Sequence, residues 1–304
     1  MTAPNVGNPT RPTSTNQMRL PRTAALGPGR GGQQRLLIDA PAGAAEIYLH
    51  GATVTSWVPR GGSEVIFTSR QAVFDGSTAI RGGIPLCLPE FGVGINGDAV
   101  PKHGWARIAP WRLRTVTTTT DGGGVRALLS VSRDRLMALY EVEVGETLRL
   151  GLSLRNEGTE PRTVEAAAHT YLSVHDVTAS VISGLAGASY SDNLARSPKE
   201  ARHVQEGDVT ISGPVDRIYD SAEPITVTDP GHQRTIRVDK RNAPSTIVWN
   251  PWSTYSAPLP DMADDEFPAM VCVESGAVRE HAPTIAAGAS WSMQVTLSVE
   301  STGV

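Results

Sequence analysis

Cysteine is scarce in this chain of 304 residues, which has only Cys87 and Cys272. Two thiols exclude a multi-bridge disulfide scaffold and a four-thiolate zinc site. Each is read as a buried apolar thiol, and a reducing, cytoplasmic compartment is expected. Long apolar runs are missing. No stretch reaches the ~20 residues a membrane span requires, and the N-terminus lacks the apolar core of a secretory signal. No membrane partner is expected. Excess positive charge is missing too: 27 Lys and Arg stand against 31 Asp and Glu, net −4. No overall basic field exists to attract nucleic acid. GxxxxGK[ST] and internal repeats are absent, so a P-loop phosphate cradle has no sequence support. Lysine is rare, 3 against 24 Arg, which makes each lysine worth noticing.

Residues 1–38 contain no Asp or Glu, and carry Arg11, Arg19, Arg22, Arg30 and Arg35 among Pro, Thr, Asn and Gly. That composition predicts a flexible tail over residues 1–35 and a single folded domain over 36–304. The chain as a whole has ordinary globular content, with 39% hydrophobic residues and 30 Gly.

Strand signals fill that body. Leu148, Leu150, Leu152 and Leu154 alternate with Arg149, Gly151, Ser153 and Arg155, the period of a half-buried strand. Asn156-Glu157-Gly158 ends it as a turn. Similar runs cover 46–49, 126–132, 163–174, 235–238, 245–249, 269–274 and 291–299. Helical periodicity is poor, with Ala195 to Gln205 the one candidate, and Pro198 falls inside it. Gly122-Gly123-Gly124 reads as a hairpin tip, because no helix follows it. The pattern predicts an all-β sandwich or barrel without βαβ units.

Four segments concentrate polar groups in apolar or Gly-Pro surroundings. In Ile80-Arg81-Gly82-Gly83-Ile84-Pro85, the glycines permit unusual backbone angles and Pro fixes the exit. Arg81 is either an anion or sugar-hydroxyl ligand or a surface arginine. In Pro101-Lys102-His103-Gly104-Trp105-Ala106-Arg107, cation, imidazole, flat ring and guanidinium make a sugar-phosphate contact set. The alternative is a solvated loop with Trp105 tucked into the core. In Ala166-Ala167-Ala168-His169-Thr170-Tyr171, small residues leave space around an imidazole. It is either a core histidine or a functional one; His175 on the same strand face would make a zinc pair conceivable, with no third ligand nearby. In Met270-Val271-Cys272-Val273-Glu274, a carboxylate ends an apolar strand, either exposed or partly desolvated into a useful base. Asp216 beside Arg217 reads blandly as a local ion pair.

In order along the chain, these segments resemble the D-hexose-6-phosphate mutarotases, or glucose-6-phosphate 1-epimerases, of the aldose 1-epimerase superfamily. The resemblance runs from Gly51-Ala52 to Trp291. It includes Phe74-Asp75-Gly76-Ser77, Pro89-Glu90-Phe91-Gly92, His103-Gly104-Trp105-Ala106-Arg107, His169-Thr170-Tyr171, Asp216-Arg217-Ile218-Tyr219, Val248-Trp249-Asn250-Pro251-Trp252 and Val271-Cys272-Val273-Glu274. It implies a large antiparallel β-sandwich (a supersandwich), a sugar cleft on one face, a monomer, and no cofactor or metal. It implies His169 as catalytic imidazole and Glu274 as catalytic carboxylate. Arg81, Arg107, Asp216 and His103 are implied to contact substrate. Members usually carry Gln before that His. Here Lys102 stands there, suiting a phosphate or changing which sugar is preferred. The expected activity is α/β anomer interconversion of a hexose phosphate by acid–base ring opening. The alternatives are a non-catalytic sugar-binding protein and a glycoside hydrolase, whose second carboxylate would be Asp216 or Glu90.

Overall fold

The computed structural model describes residues 18–197 and 200–302. Alternation builds its larger sheet. Leu148–Asn156 buries Leu148, Leu150, Leu152 and Leu154 and turns Arg149, Ser153 and Arg155 to solvent. Leu136–Val144 repeats the pattern, and the register sets Leu152 opposite Tyr140 and Leu150 opposite Val142. Each such fully buried side chain contributes about 1.5–3 kcal/mol. Nine strands extend this sheet, from Val209–Thr210 at one edge to Arg112–Thr118 at the other. Gly122-Gly123-Gly124 lies at the hairpin between Arg112–Thr118 and Val125–Arg133, as expected. Asn156 Oδ1 accepts the Gly158 N–H at 2.9 Å, closing the expected turn.

The second sheet has eight strands. Its order is Arg202–Val204, Ser189–Asp192, Val215–Asp220, Ser245–Asn250, Met270–Ala277, Ala166–Ala168 and Leu86–Cys87, with Tyr171–Ser173 also pairing to Met270–Ala277. The main core joins the sheets: Val248, Val271 and Val273 belong to one buried cluster with Leu150, Leu152, Val295 and Leu297. A four-stranded sheet from Ala24–Pro28 to Thr53–Pro59 completes the architecture, with a short pair of Arg162–Thr163 and Thr284–Ile285. The main ladders are antiparallel throughout, so the all-β sandwich is what forms.

Alternation also sorts the two faces of the smaller sheet. Val271 and Val273 enter the main core, so Cys272 and Glu274 face the other way. Val248 does the same and leaves Ile247 and Trp249 outward; Asp216 and Ile218 follow on the next strand. This outer face carries the cleft described below.

Two readings of chain organisation need correction. Ala24–Pro28 pairs in register with Gln34–Ala40, Ala24 opposite Ile38, so the folded part begins well before residue 36. Backbone pairing orders a segment whose side chains carry no strand pattern. Residues 1–17 of the expected tail lie outside the described residues. The helix candidate over 195–205 is not borne out at its C-terminal end. Arg202–Val204 is an edge strand on Ser189–Asp192, and Pro198 lies outside the described residues.

Candidate active site

The run read as one strand over 163–174 is broken, and the break places the histidine. Ala166–Ala168 and Tyr171–Ser173 both pair with Met270–Ala277, and His169 sits on the link between them. Its backbone N–H donates to Pro85 O at 2.9 Å. Glu274 does not end its strand: three more residues follow, and all eight of Met270–Ala277 are buried. The two side chains converge, with His169 Nε2 3.4 Å from Glu274 Oε1. Glu274 is 1% exposed and His169 8%.

Burial governs their protonation. Desolvation pushes the Glu274 carboxyl well above the usual range, and the nearby Asp216 adds to this. Desolvation, then His103, Arg107 and Arg81, hold the His169 imidazole well below its usual value. Both shifts disfavour a separated charge pair. In the free site the shared proton therefore rests on the carboxyl.

Around this pair lies a cleft of about 610 Å³, lined by Arg81, Lys102, His103, Arg107, His169, Asp216 and Glu274 among others. All seven residues singled out from the sequence thus meet in one cavity. Arg81 is braced from both sides: Nε donates to Asp261 Oδ1 and Nη1 to Tyr171 Oη, each at 3.1 Å. The facing tyrosine and carboxylate keep its guanidinium firmly charged. Gly82 has φ +99°, and a Cβ there would stand 2.5 Å from Thr68 Cα, so this turn requires glycine. Arg107 Nη2 donates to Lys102 O at 2.9 Å. His103 accepts the Gly92 N–H on Nδ1 at 3.3 Å, with Cys87 Sγ 3.1 Å from the same nitrogen. This bonding assigns the proton to Nε2. Burial and the surrounding cations push the His103 pKa down to about 3, so it is a neutral donor. Asp216 Oδ1 accepts from Asn193 Nδ2 at 2.7 Å, and burial raises its carboxyl.

Several expectations fail on geometry. Asp216 and Arg217 make no local ion pair, because neighbours on a strand point apart; Arg217 lies 3.8 Å from Asp192 and over the Tyr190 ring. Trp105 is 5% exposed in the main core and offers no face to a sugar. Trp249 lines the cleft instead. His175 is not beside His169; it packs against His232 with ring centroids 5.4 Å apart, so that zinc pair does not exist. Glu90 is not among the lining residues. Cys87 and Cys272 are both buried free thiols, as read.

Sequence reasoning missed Arg279, Tyr171 and Trp249 as lining groups, and Asp261 as the brace for Arg81. Arg279 has φ +55°, a strained angle for a side-chain-bearing residue. Its N–H donates to Glu165 Oε1 at 2.9 Å, and Glu165 Oε2 accepts the Phe91 N–H at 3.1 Å. One buried carboxylate thus ties two cleft loops together. Only the positive φ distinguishes Arg279, and that cannot be read from residue type.

The site faces a ligand with cations on several sides and a coupled imidazole–carboxyl pair within. By charge and donor chemistry, that arrangement is suited to an anionic polyol and to proton exchange with it. No helix among the described residues is long and apolar enough to cross a membrane.

The sequence and the fold both match known proteins. The family model described as aldose 1-epimerase matches residues 34–298. The chain is 34% identical over 272 residues to a protein of Cenchrus ciliaris named "Putative glucose-6-phosphate 1-epimerase", covering 84% of this chain and 80% of that one. An Escherichia coli K12 protein of the same name is 30% identical over 253 residues, covering 81% and 83%. Among solved structures, a mutarotase (described as putative) from Salmonella typhimurium superposes with TM-score 0.84 at 26% identity, over 93% of this chain and 96% of that one. A galactose mutarotase-like protein from Clostridium acetobutylicum, 11% identical, superposes with TM-score 0.68 over 91% of this chain and 98% of that one, and shares the fold alone.

Proposed function

The chain belongs to the aldose 1-epimerase family, and we propose that it is a hexose-6-phosphate mutarotase acting without a cofactor. The observation that carries this reading is the buried His169–Glu274 pair, 3.4 Å apart, opening into a cleft that also holds Arg81, Lys102, Arg107 and Arg279.

Anomer exchange opens the hemiacetal ring, rotates C1–C2 and closes on the other face. Opening removes a proton from the C1 hydroxyl and delivers one to the ring oxygen. Glu274 takes the first and His169 gives the second; on closure the roles reverse. When sugar hydroxyls enter, the proton resting on Glu274 passes to His169 and prepares the pair. After opening, that proton is on the former ring oxygen and Glu274 holds the one taken from the C1 hydroxyl, so the pair is again in the neutral form that burial favours. The low polarity of the site thus favours the opened stage over the ring held by the charged pair. Each positioned proton transfer contributes ~10²–10⁴-fold in rate, and positioning adds more.

His103, neutral with Nε2–H free, donates to a sugar oxygen, and Asp216 accepts from a hydroxyl. The Arg81, Lys102, Arg107 and Arg279 cations bind the phosphate end. Charge-assisted hydrogen bonds are about 1.5–3 kcal/mol each, so phosphate should matter strongly to binding.

NMR exchange spectroscopy on glucose, galactose and mannose 6-phosphates and on the free hexoses tests the reading. The expected result is anomer exchange above the buffer rate, with kcat/KM far higher for a hexose phosphate than for its free sugar. Equal values would leave the cationic cluster without its purpose. Binding without exchange would favour a non-catalytic sugar-binding protein.

A further inference from the structure

Cys272 takes no part in the chemistry above, yet it lies beside both proton-transfer groups. One ring nitrogen of His169, the sulfur of Cys272 and one carboxylate oxygen of Glu274 lie within 4.8 Å of one another, and all three residues are buried. Alternation brings the sulfur there, since Cys272 and Glu274 share a face of Met270–Ala277. Besides the facing Nε2 and Oε1, the other polar atoms of the same two residues, His169 Nδ1 and Glu274 Oε2, are buried with no hydrogen-bond partner among the described residues. Leaving buried polar atoms unpaired is costly, so the protein alone does not satisfy this pair.

Imidazole, thiolate and carboxylate are a donor set that zinc-like ions favour. Zinc bonds of about 2.0–2.3 Å in a tetrahedral shell set neighbouring donors roughly 3.4–3.8 Å apart. The His169–Glu274 edge is already 3.4 Å. The remaining edges are at most 4.8 Å, so small side-chain rotations close the shell. On coordination the Cys272 thiol and the protonated Glu274 carboxyl each release a proton to solvent. A dication with one thiolate and one carboxylate is then neutral overall, which suits an apolar surrounding.

We propose that His169, Cys272 and Glu274 form a site for a thiophilic divalent cation of the zinc class, with its fourth position open to the cleft. Its occupancy stops turnover by taking the imidazole and the carboxylate at once. The binding stands on donor chemistry and geometry; the inhibition rests on the function proposed above.

Cobalt(II) titrated into the metal-free, full-length protein reads the binding without reference to activity. The expected result is a thiolate-to-cobalt charge-transfer band in the near ultraviolet, with intense visible bands of a four-coordinate ion, saturating at one ion per chain. Cys272→Ser should abolish the charge-transfer band and weaken binding about tenfold or more, while Cys87→Ser keeps it. Cys272→Ala replaces the serine variant if thermal melting shows that variant unfolded. No band in the unsubstituted protein, or a band that survives both Cys272 variants, overturns the proposal. Zinc should also suppress hexose-phosphate anomer exchange reversibly with a chelator, and Cys272→Ser should resist it relative to its own metal-free rate. A cobalt site with exchange indifferent to zinc overturns the inhibition. A cobalt site in a protein that exchanges no anomers keeps the cation site and sinks the mutarotase reading instead.

Discussion

Trp249 stands opposite Cys272 across two antiparallel strands, and two residues along, Ile247 stands opposite Glu274. This register decides where the carboxyl goes. A slip of one residue would send Glu274 into the main core and Val273 into the cleft. A second ladder of the same Met270–Ala277 strand ties Tyr171 to Cys272, which holds the His169 link over Glu274. Two groups far apart in sequence therefore meet through backbone pairing, with no flexible loop needed to bring them together.

From that pairing, Glu274→Gln and His169→Ala should each lower anomer exchange at least about a hundredfold. The fold should persist, because neither side chain belongs to the main apolar cluster. Exchange measured by NMR, beside thermal melting, checks this. Near-normal rates from either folded variant would remove that residue from the chemistry.

The pH dependence of stability carries a sign worth testing. Burial raises the Glu274 carboxyl above its unfolded value. Its contribution to stability is thus fully present below about pH 4.5 and is lost as pH rises through the folded value. Glu274→Gln does not titrate. Its stability advantage over the unsubstituted protein should therefore widen as pH climbs from about 4.5 towards 8. His169 has the opposite shift, so its contribution is present above about pH 6.5 and is lost as pH falls. Urea unfolding at several pH values gives the first comparison. ¹⁵N chemical shifts of His169, expected to be those of a neutral imidazole at about pH 6, give the second. A flat Glu274→Gln advantage, or an imidazolium at that pH, would contradict the burial argument.

How much of this was legible depended on which faces each strand buries. Leu148–Asn156 has one wet face, so its period of two could be read directly. Met270–Ala277 is covered on both faces, so its alternation vanished and Glu274 looked like a strand end. The local motif around His169 was visible, but only the pairing of Tyr171–Ser173 with Met270–Ala277 shows which carboxyl it meets. Trp105 and Trp249 are alike in composition terms, and tertiary placement alone decides which lines the cleft. Asp261 lay in an irregular segment with no periodic signal, so its role beside Arg81 was not readable.

That role makes a third prediction. Asp261 and Tyr171 hold the Arg81 guanidinium in one orientation, with both contacts at 3.1 Å. Asp261→Asn removes the charge-assisted bond and frees the side chain to sample other rotamers. The transfer pair is not touched directly, so the loss should fall on binding: KM for a hexose phosphate should rise about tenfold with kcat little changed. Steady-state kinetics separates the two. A fall in kcat at unchanged KM would place Asp261 in the proton-transfer step instead.

Lys102 provides the sharpest discrimination between substrates. It stands where the resembled family usually has Gln, next to His103 and with its carbonyl held by Arg107. Its side chain is exposed, so water screens its charge and the effect should be smaller than that of a buried arginine. Lys102→Gln should lower kcat/KM for a hexose 6-phosphate about threefold to tenfold and leave the free hexose nearly unchanged. The difference should shrink at high salt, since a surface cation acts through a screened field. An equal loss on both substrates would mean that the lysine acts on the sugar ring or on His103, and would move phosphate recognition onto Arg81, Arg107 and Arg279.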